Sequence, residues 1–436
     1  MSPLAWPFEL AMYRALTRLA RPAAGVILSV RERQGKEDPR RRLERLGTAT
    51  LPRPDGALVW VHAASVGEAN AALPLIAGIR QQRPHSPVLM TTGTVTSAAF
   101  IADRRPAGVL HQYVPLDSPA FVARFLDHWR PELAIFTEQE IWPNLVVEAS
   151  RRGIPMALVN ARMSDRSFAR WQRRAGLANA LFSRFTVVTA QNAALAERFR
   201  ILGAATALAA GNLKIDAPPL PVNSALRGEI EDGLGRRPRL AATSTHAGEE
   251  QAVATAHTML AAQVDGLCTI IAPRHPERGG PLVASLRSQG FRIAQRSRGE
   301  LPDATTDIFI ADTIGELGTL YAASPVAFIG GSLIPHGGQN PIEAVRHGAA
   351  VVTGPHWHNF PDAYQALIAA EGAVEVRDAA GLAEAARRLL TNDAALTALR
   401  ANGERALTQL AGALERTLAA LVPLVPDGER RPIGAR

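Results

Sequence analysis

A disulfide within the chain is the first thing this sequence excludes. Its 436 residues hold one cysteine, Cys268, set inside the apolar run Leu267-Cys268-Thr269-Ile270-Ile271, where a thiol reads as core packing. Aromatic residues are equally scarce, at 5%. The formal charge of +8 and pI near 10.5 invite a nucleic-acid reading, but basic residues never interleave with aromatics and no RNA-binding signature appears. Nucleic acid is therefore not an expected partner. Also missing are a full G-x-G-x-x-G with its later acidic residue and a Walker A lysine. His336, His356 and His358 fall in loop-like sequence without metal-ligand spacing to carboxylates, so no metal is expected. Long apolar runs are absent too. Arg14, Arg18 and Arg21 interrupt the N-terminal apolar segment well short of the roughly 20 residues that span a bilayer.

The N-terminal segment is informative in another way. On a helix those three arginines share one face, and Phe8, Met12, Leu16 and Leu19 share the opposite one. Such a helix suits a membrane interface or a docked position on its own domain. The basic run "RERQGKEDPRRRLERLG" that follows tilts the reading towards anionic lipid. Residues 1–45 are thus expected to form a membrane-associated helical segment.

The abundance lies in apolar material, 47% of residues, enough for more than one core. From Leu58 onward short β-like runs alternate with amphipathic helical stretches, the pattern of a parallel α/β sheet. Strands are expected at 58–63, 87–92, 133–137, 156–160, 185–189 and 206–210. The segment "DAPPLPVNSALRGEIEDGLGRRPR" breaks the rhythm with clustered Pro, Gly and charge and marks a boundary. A second series follows at 240–243, 267–272, 307–311, 326–330 and 349–353, then an Ala/Leu-rich helical tail from Ala379 to Leu424. Two Rossmann-like domains are expected, at 46–217 and 218–436, facing across a cleft.

Ligands of open α/β sheets bind beyond the carboxyl ends of the strands, and the informative polar residues follow those ends. Glu68 and Glu138 follow strands in the first half; either serves equally well as dipole compensation at a helix start. Glu138 and Glu140 share one side if Glu-Gln-Glu is extended. Lys214 ends the last strand of that half, within reach of a cleft or as a plain surface lysine. In the second half, Arg274-His275-Pro276-Glu277-Arg278 offers an arginine fork beside a helix start, suited to an oxyanion, or an ordinary ion pair with Glu277. Asn340-Pro341-Ile342-Glu343 reads as N-cap, first-turn proline and capping glutamate. The dense glycines before it (Gly330, Gly331, Gly337, Gly338) favour close ligand approach, with Glu343 placed to accept from ribose hydroxyls.

Taken in order, "HAASVGE", "EQEIWPN", "NARMSDRS", "GNLKID", "STHAGEE", "PRHPER", "DTIGEL" and "GGSLIPHGGQNPIEA" resemble the 3-deoxy-D-manno-octulosonic acid (Kdo) transferases of lipopolysaccharide synthesis. The resemblance runs from "GKEDPRRRLERLG" to "GPHWHNF". It implies an α/β fold of GT-B type and inverting transfer of Kdo from CMP-Kdo to a phosphorylated lipid A precursor (lipid IVA), without a metal. It also implies attachment to anionic lipid at the cytoplasmic face of the Gram-negative inner membrane. By position it gives Glu68 as general base and Glu138 and Lys214 as supports of the transition state. It places CMP contacts at Pro273 and Arg274, at Ile314, Gly315 and Glu316, and at Asn340, Pro341, Ile342 and Glu343. The sequence departs from the family pattern at Gln139, Gln339 and Ala344-Val345, which touches local contacts only. Two other readings stay open: a GT-B transferase or epimerase using a UDP-sugar, and a non-catalytic basic protein of membrane surfaces or nucleic acid.

Overall fold

The computed structural model describes residues 6–425. They divide into two compact units, one holding the chain to Pro218 together with the stretch from Ala411, the other Pro219–Leu410.

The first unit is built on a parallel sheet of β1 (Val59–His62), β2 (Val88–Thr92), β3 (Val109–Tyr113), β4 (Leu133–Thr137), β5 (Met156–Ala161), β6 (Val187–Ala190) and β7 (Ala207–Ala209). Its order is β3-β2-β1-β4-β5-β6-β7. Val59 registers with Val88 on one side and Leu133 on the other, so β1 is fully enclosed, as its unbroken apolar run requires. Trp60, Phe125, Phe136 and Phe185 fill one face and Leu75, Ile76, Ile79 and Met90 the other. Strand order reverses between β1 and β4, the crevice where doubly wound sheets take ligands.

The second unit repeats the design with β8 (Arg239–Thr245), β9 (Cys268–Pro273), β10 (Ile293–Gln295), β11 (Ile308–Ile310), β12 (Val326–Ile329), β13 (Ala350–Thr353) and β14 (Ala373–Glu375). All pairings are parallel, in the order β10-β11-β9-β8-β12-β13-β14. Cys268 is buried in β9, as its apolar context predicts. Three strands were not expected: β3 at "VLHQY", β10 and β14. β3 carries polar His111 and Gln112, and β10 and β14 are edge strands of three residues, too short for a period-2 pattern.

The expected assignment of 218–436 to one domain does not hold at its end. Helices 379–391 and 393–410 belong to the second unit, whereas Ala413–Leu421 packs on the first. Its Ala413 and Leu421 join the core under β1, and the Asp216 carboxylate accepts from Gly412 N at 3.0 Å and Leu414 N at 2.6 Å.

The N-terminal helices belong to the first unit rather than forming a unit of their own. Helix Phe8–Leu19 is docked on the first unit by its polar side. Tyr13 donates to Asp117 at 2.9 Å, Arg14 contacts Asn144 at 3.3 Å and Glu148 at 2.5 Å, and Leu10 is fully buried. Burial pushes the Tyr13 phenol's pKa upward, with the Asp117 charge adding to it. The apolar face is left outward, with Phe8 77%, Leu16 57% and Leu19 76% exposed. Helix Ala24–Arg33 adds exposed Val26, Ile27 and Val30. Meanwhile most of the basic run is spent inside the unit: Arg31 and Arg45 pair with Glu37, Arg41 with Glu44, and Arg42 with Glu32. No described helix is long and apolar enough to cross a membrane.

Candidate functional site

In the first unit Glu68 enters by an N-terminal cap. Ser65 precedes helix Val66–Gln82, and its hydroxyl accepts from Glu68 N at 3.4 Å while donating to Glu68 Oε1 at 2.8 Å. The other carboxylate oxygen accepts from Ala64 N at 3.0 Å and lies 2.8 Å from Thr137 Oγ1, at the end of β4. Dipole compensation accounts for a glutamate here, but not for the direction of its pKa. Burial raises it and the Glu138 charge raises it further, outweighing the Ser65 and Thr137 hydrogen bonds. A carboxylate held to accept from three directions yet pushed towards its protonated form is poised to take a proton.

Glu138 follows β4 in a left-handed conformation, φ 52°, and Asn160 near the end of β5 does the same, also φ 52°. Non-glycine residues adopt this region at a cost, and such outliers gather where side-chain direction matters. Here the turn ends the strand, so Glu138 and Glu140 do not alternate along an extended stretch. Glu138 is buried and 2.5 Å from Lys214 Nζ, with Arg162 at 4.0 Å. Glu140 turns to His62, 3.4 Å away, and accepts from Trp142 Nε1 at 2.7 Å. Burial pushes the Glu140 pKa up, but the His62 and Trp142 contacts outweigh it and bring it down.

Asn160 ties this cluster together, a role its presence in "NARMS" did not reveal. Its Oδ1 accepts from Leu213 N at 3.0 Å, fixing the start of the short helix Leu213–Asp216 that carries Lys214, and its Nδ2 reaches Glu138 at 3.5 Å. Asn212 Oδ1 accepts from Lys214 N at 3.0 Å. Lys214 thus lies on a helix rather than at a strand end. Gly67 lies inside helix Val66–Gln82, where a Cβ would stand 4.0 Å from Lys214 Cε, an ordinary contact.

In the second unit the expected nucleotide contacts all lie at the carboxyl edge of the sheet. Pro273 closes β9, and Arg274 N donates to Thr245 O at 2.9 Å while its side chain is exposed. The fork is not paired with Glu277: Arg278 instead makes two bonds to the buried carboxylate of Glu250, at 3.2 and 3.1 Å. Ile314, Gly315 and Glu316 follow β11; Ile314 is exposed, and Glu316 is held 2.9 Å from Arg296. Asn340 caps helix Pro341–Arg346, accepting from Ile342 N at 3.1 Å and donating to Glu343 Oε1 at 3.0 Å.

Two residues of "STHAGEE" organise this edge in ways the sequence left unassigned. Glu249, fully buried, accepts from His246 N, Gly331 N, Ser332 N and Leu333 N at 2.6 to 3.0 Å. One carboxylate thereby fixes the loop after β12 to the end of β8. A side chain on Gly330 would strike Ser244 O at 2.5 Å, so that close approach requires glycine. His246 lies against His336 with ring centroids 3.9 Å apart and planes tilted by 40°, and meets Gln339 Nε2 at 3.2 Å. Burial, then the neighbouring histidines and Arg274, hold its pKa down at about 4, so the ring is neutral at physiological pH. Among the described residues no group of three or more His, Cys, Asp or Glu is arranged to hold a metal ion.

A model of the 3-deoxy-D-manno-octulosonic-acid transferase (kdotransferase) family matches residues 40–217. A probable mitochondrial 3-deoxy-D-manno-octulosonic acid transferase of Arabidopsis thaliana is 38% identical over 396 residues, 88% of this chain and 89% of that protein. The chain belongs to the Kdo transferase family. The 3-deoxy-D-manno-octulosonic acid transferase of Haemophilus influenzae agrees, at 35% identity over 91% of this chain and 93% of its own. Membership makes the protein a glycosyltransferase. Solved structures extend the fold. UDP-GlcNAc 2-epimerase of Neisseria meningitidis superposes with a TM-score of 0.58, covering 84% of this chain and all of its own, at 13% identity. A glycosyltransferase of Rickettsia africae gives 0.56, at 13% identity over 86% of this chain and 100% of its own. At such identity the likeness speaks for the GT-B fold alone.

Proposed function

We propose that this Kdo transferase moves Kdo from CMP-Kdo to a phosphorylated lipid A precursor, with inversion at the anomeric carbon, as a step of lipopolysaccharide synthesis. The observation that carries the reading is Glu68: a carboxylate at the switch point of the first sheet, hydrogen-bonded on both oxygens, with its pKa raised by burial and by Glu138. In the proposed step Glu68 takes the proton of an acceptor hydroxyl as that oxygen bonds to the Kdo anomeric carbon. The bond from that carbon to the CMP phosphate breaks, and its electron pair leaves with CMP. Inversion follows from attack opposite the leaving group. Glu138 supplies negative charge for the oxocarbenium character of the sugar, and Lys214, 2.5 Å away, offers positive charge to the departing phosphate.

In the second unit, Pro273 and Arg274, Ile314 to Glu316, and Asn340 to Glu343 would hold CMP, with Arg274 on the phosphate and Glu343 on the ribose. The transfer needs no metal in this scheme. The outward apolar faces of the two N-terminal helices would rest in the interface of the inner membrane's cytoplasmic leaflet, among anionic lipids, where the acceptor resides.

The test is mass spectrometry of the product after incubation with CMP-Kdo and a tetra-acylated lipid A precursor. Parent enzyme should add Kdo, and Glu68→Gln should transfer slower by roughly 10²–10⁴-fold, as for loss of a general base. Near-parental transfer by the variant would remove Glu68 from this role. Calorimetry checks the second unit: Arg274→Ala and Glu343→Ala should each weaken CMP binding by about 1.5–3 kcal/mol. Unchanged CMP affinity in both folded variants would move the donor elsewhere.

A further inference from the structure

The edge of the second sheet where strands begin, opposite the edge proposed for CMP, carries a recess of about 430 Å³. Arg239 opens β8, Pro325 precedes β12 and Gly348 precedes β13, so the recess sits across the sheet from Arg274 and Ile314. Arg227, Arg239, Ser324, His347 and Arg400 line it. Among the described residues, Arg239 Nε and Nη1, Arg400 Nε and Ser324 Oγ are buried without a hydrogen-bond partner.

Such groups call for an explanation. A buried donor left unmade costs about 1–3 kcal/mol, more when charged, and native proteins carry few. Four in one recess, three of them guanidinium nitrogens, mean donors waiting for an acceptor. The one acid in the lining, Glu231, is engaged 2.8 Å from Arg227. Arg400 spends Nη2 on Pro325 O at 2.9 Å, which fixes its plane while leaving Nε free. Burial lowers the Arg400 pKa, the response of a cation without a counter-charge. His347 contributes no free donor, since its ring nitrogens face Glu343 O at 2.7 Å and Leu220 O at 2.8 Å.

We propose that this recess binds a small soluble phosphate-bearing molecule through Arg239, Arg400 and Ser324, with Arg227 at the rim. A phosphate, with three or more acceptor oxygens and up to two charges, matches these donors better than a monoanionic carboxylate. The volume is that of a small-molecule site. The site is separate from the proposed donor site and does not depend on it.

Calorimetry of the full chain with inorganic phosphate and with pyrophosphate, at constant ionic strength, tests the assignment. The parent should bind at least one of them saturably, and Arg274→Ala should keep that binding. Arg239→Gln and Arg400→Gln should each weaken it at least tenfold, and acetate should bind at least tenfold more weakly than phosphate. Circular dichroism melts establish that each variant is folded. Should the two buried variants fail to fold, Arg227→Gln, altered at the exposed rim, carries the test with an expected loss of at least threefold. Three results overturn the proposal: no saturable binding by the parent, binding lost with Arg274→Ala but kept with the recess variants, or acetate binding as tightly as phosphate.

Discussion

At the scale of single residues, the informative contrast is between Glu68 and Glu140. Both glutamates are partly buried near β1 and β4, yet their pKa values move in opposite directions. Glu140 has His62 and Trp142 against it and is lowered; Glu68 has mainly hydroxyls and one N–H, faces the Glu138 charge, and is raised. That difference has a sign that can be measured. If Glu68 is the base, transfer requires it ionised, so the rate should fall with decreasing pH through a pKa above the ordinary carboxylate value of 4.5. Stability should move the other way. A carboxyl whose folded pKa is raised binds more protons folded than unfolded, so its ionisation costs stability as pH rises from the unfolded to the folded value. Relative to the parent, Glu68→Gln should therefore become more stable across that window and hold the difference above it. Paired denaturation curves from pH 4 to 8 read this directly; a constant difference would mean that Glu68 titrates as an ordinary glutamate.

The residues themselves were unevenly legible. Glu68, Glu138 and Lys214 stood out because charge after a buried strand is conspicuous. Asn160 and Thr137 did not, although they join those three, because a small polar residue at a strand end has many ordinary uses. Glu249 was hidden for a related reason: its four acceptor bonds go to backbone N–H groups, which no side-chain pattern announces.

At the scale of elements, strands enclosed on both sides were readable from apolar runs, whereas of the four edge strands only β7 was. The helix Ala413–Leu421 was readable as a helix but not in its destination, since an amphipathic face does not say which core it covers. What directs it is tertiary: Ala413 and Leu421 enter the first unit's core, and Asp216 caps the approach. Asp216→Ala leaves Gly412 N and Leu414 N without that acceptor, a loss of about 1–3 kcal/mol. For a unit of this size that lowers the melting temperature by roughly 2–4 °C per kcal/mol. Asp216→Asn, which retains an acceptor, should recover part of the loss, and limited proteolysis should find 411–413 cut faster in the Ala variant. Identical melting of parent and Ala variant would show that apolar contacts alone hold the helix.

At the scale of the whole molecule, charge and hydrophobicity make different claims about how the protein meets a membrane. The net charge of +8 argues for electrostatic attraction, but Arg31, Arg41, Arg42 and Arg45 are tied to Glu32, Glu37 and Glu44. Large apolar side chains face outward at the N-terminus: Phe8, Leu16, Leu19 and Val26 are each more than half exposed. Clustered exposed apolar side chains mark an interaction site, and an amphipathic helix such as Phe8–Leu19 suits a bilayer interface. Because Tyr13 and Arg14 dock the first helix from its other side, the outer face can be changed without undocking it. Leu16→Gln with Leu19→Gln should leave the melting temperature near parental. Burying a leucine is worth about 1.5–3 kcal/mol, so the pair should cost partitioning onto vesicles roughly 10²-fold or more. Raising the salt screens charge but not apolar contact, so binding to anionic vesicles should weaken only modestly in the parent. Sedimentation with phosphatidylglycerol-containing and purely zwitterionic vesicles separates the two contributions. If the double variant binds both as the parent does, the apolar face is not the contact, and binding that vanishes in salt would return the attachment to the remaining exposed basic residues, Arg18, Arg21, Arg33, Lys36 and Arg40.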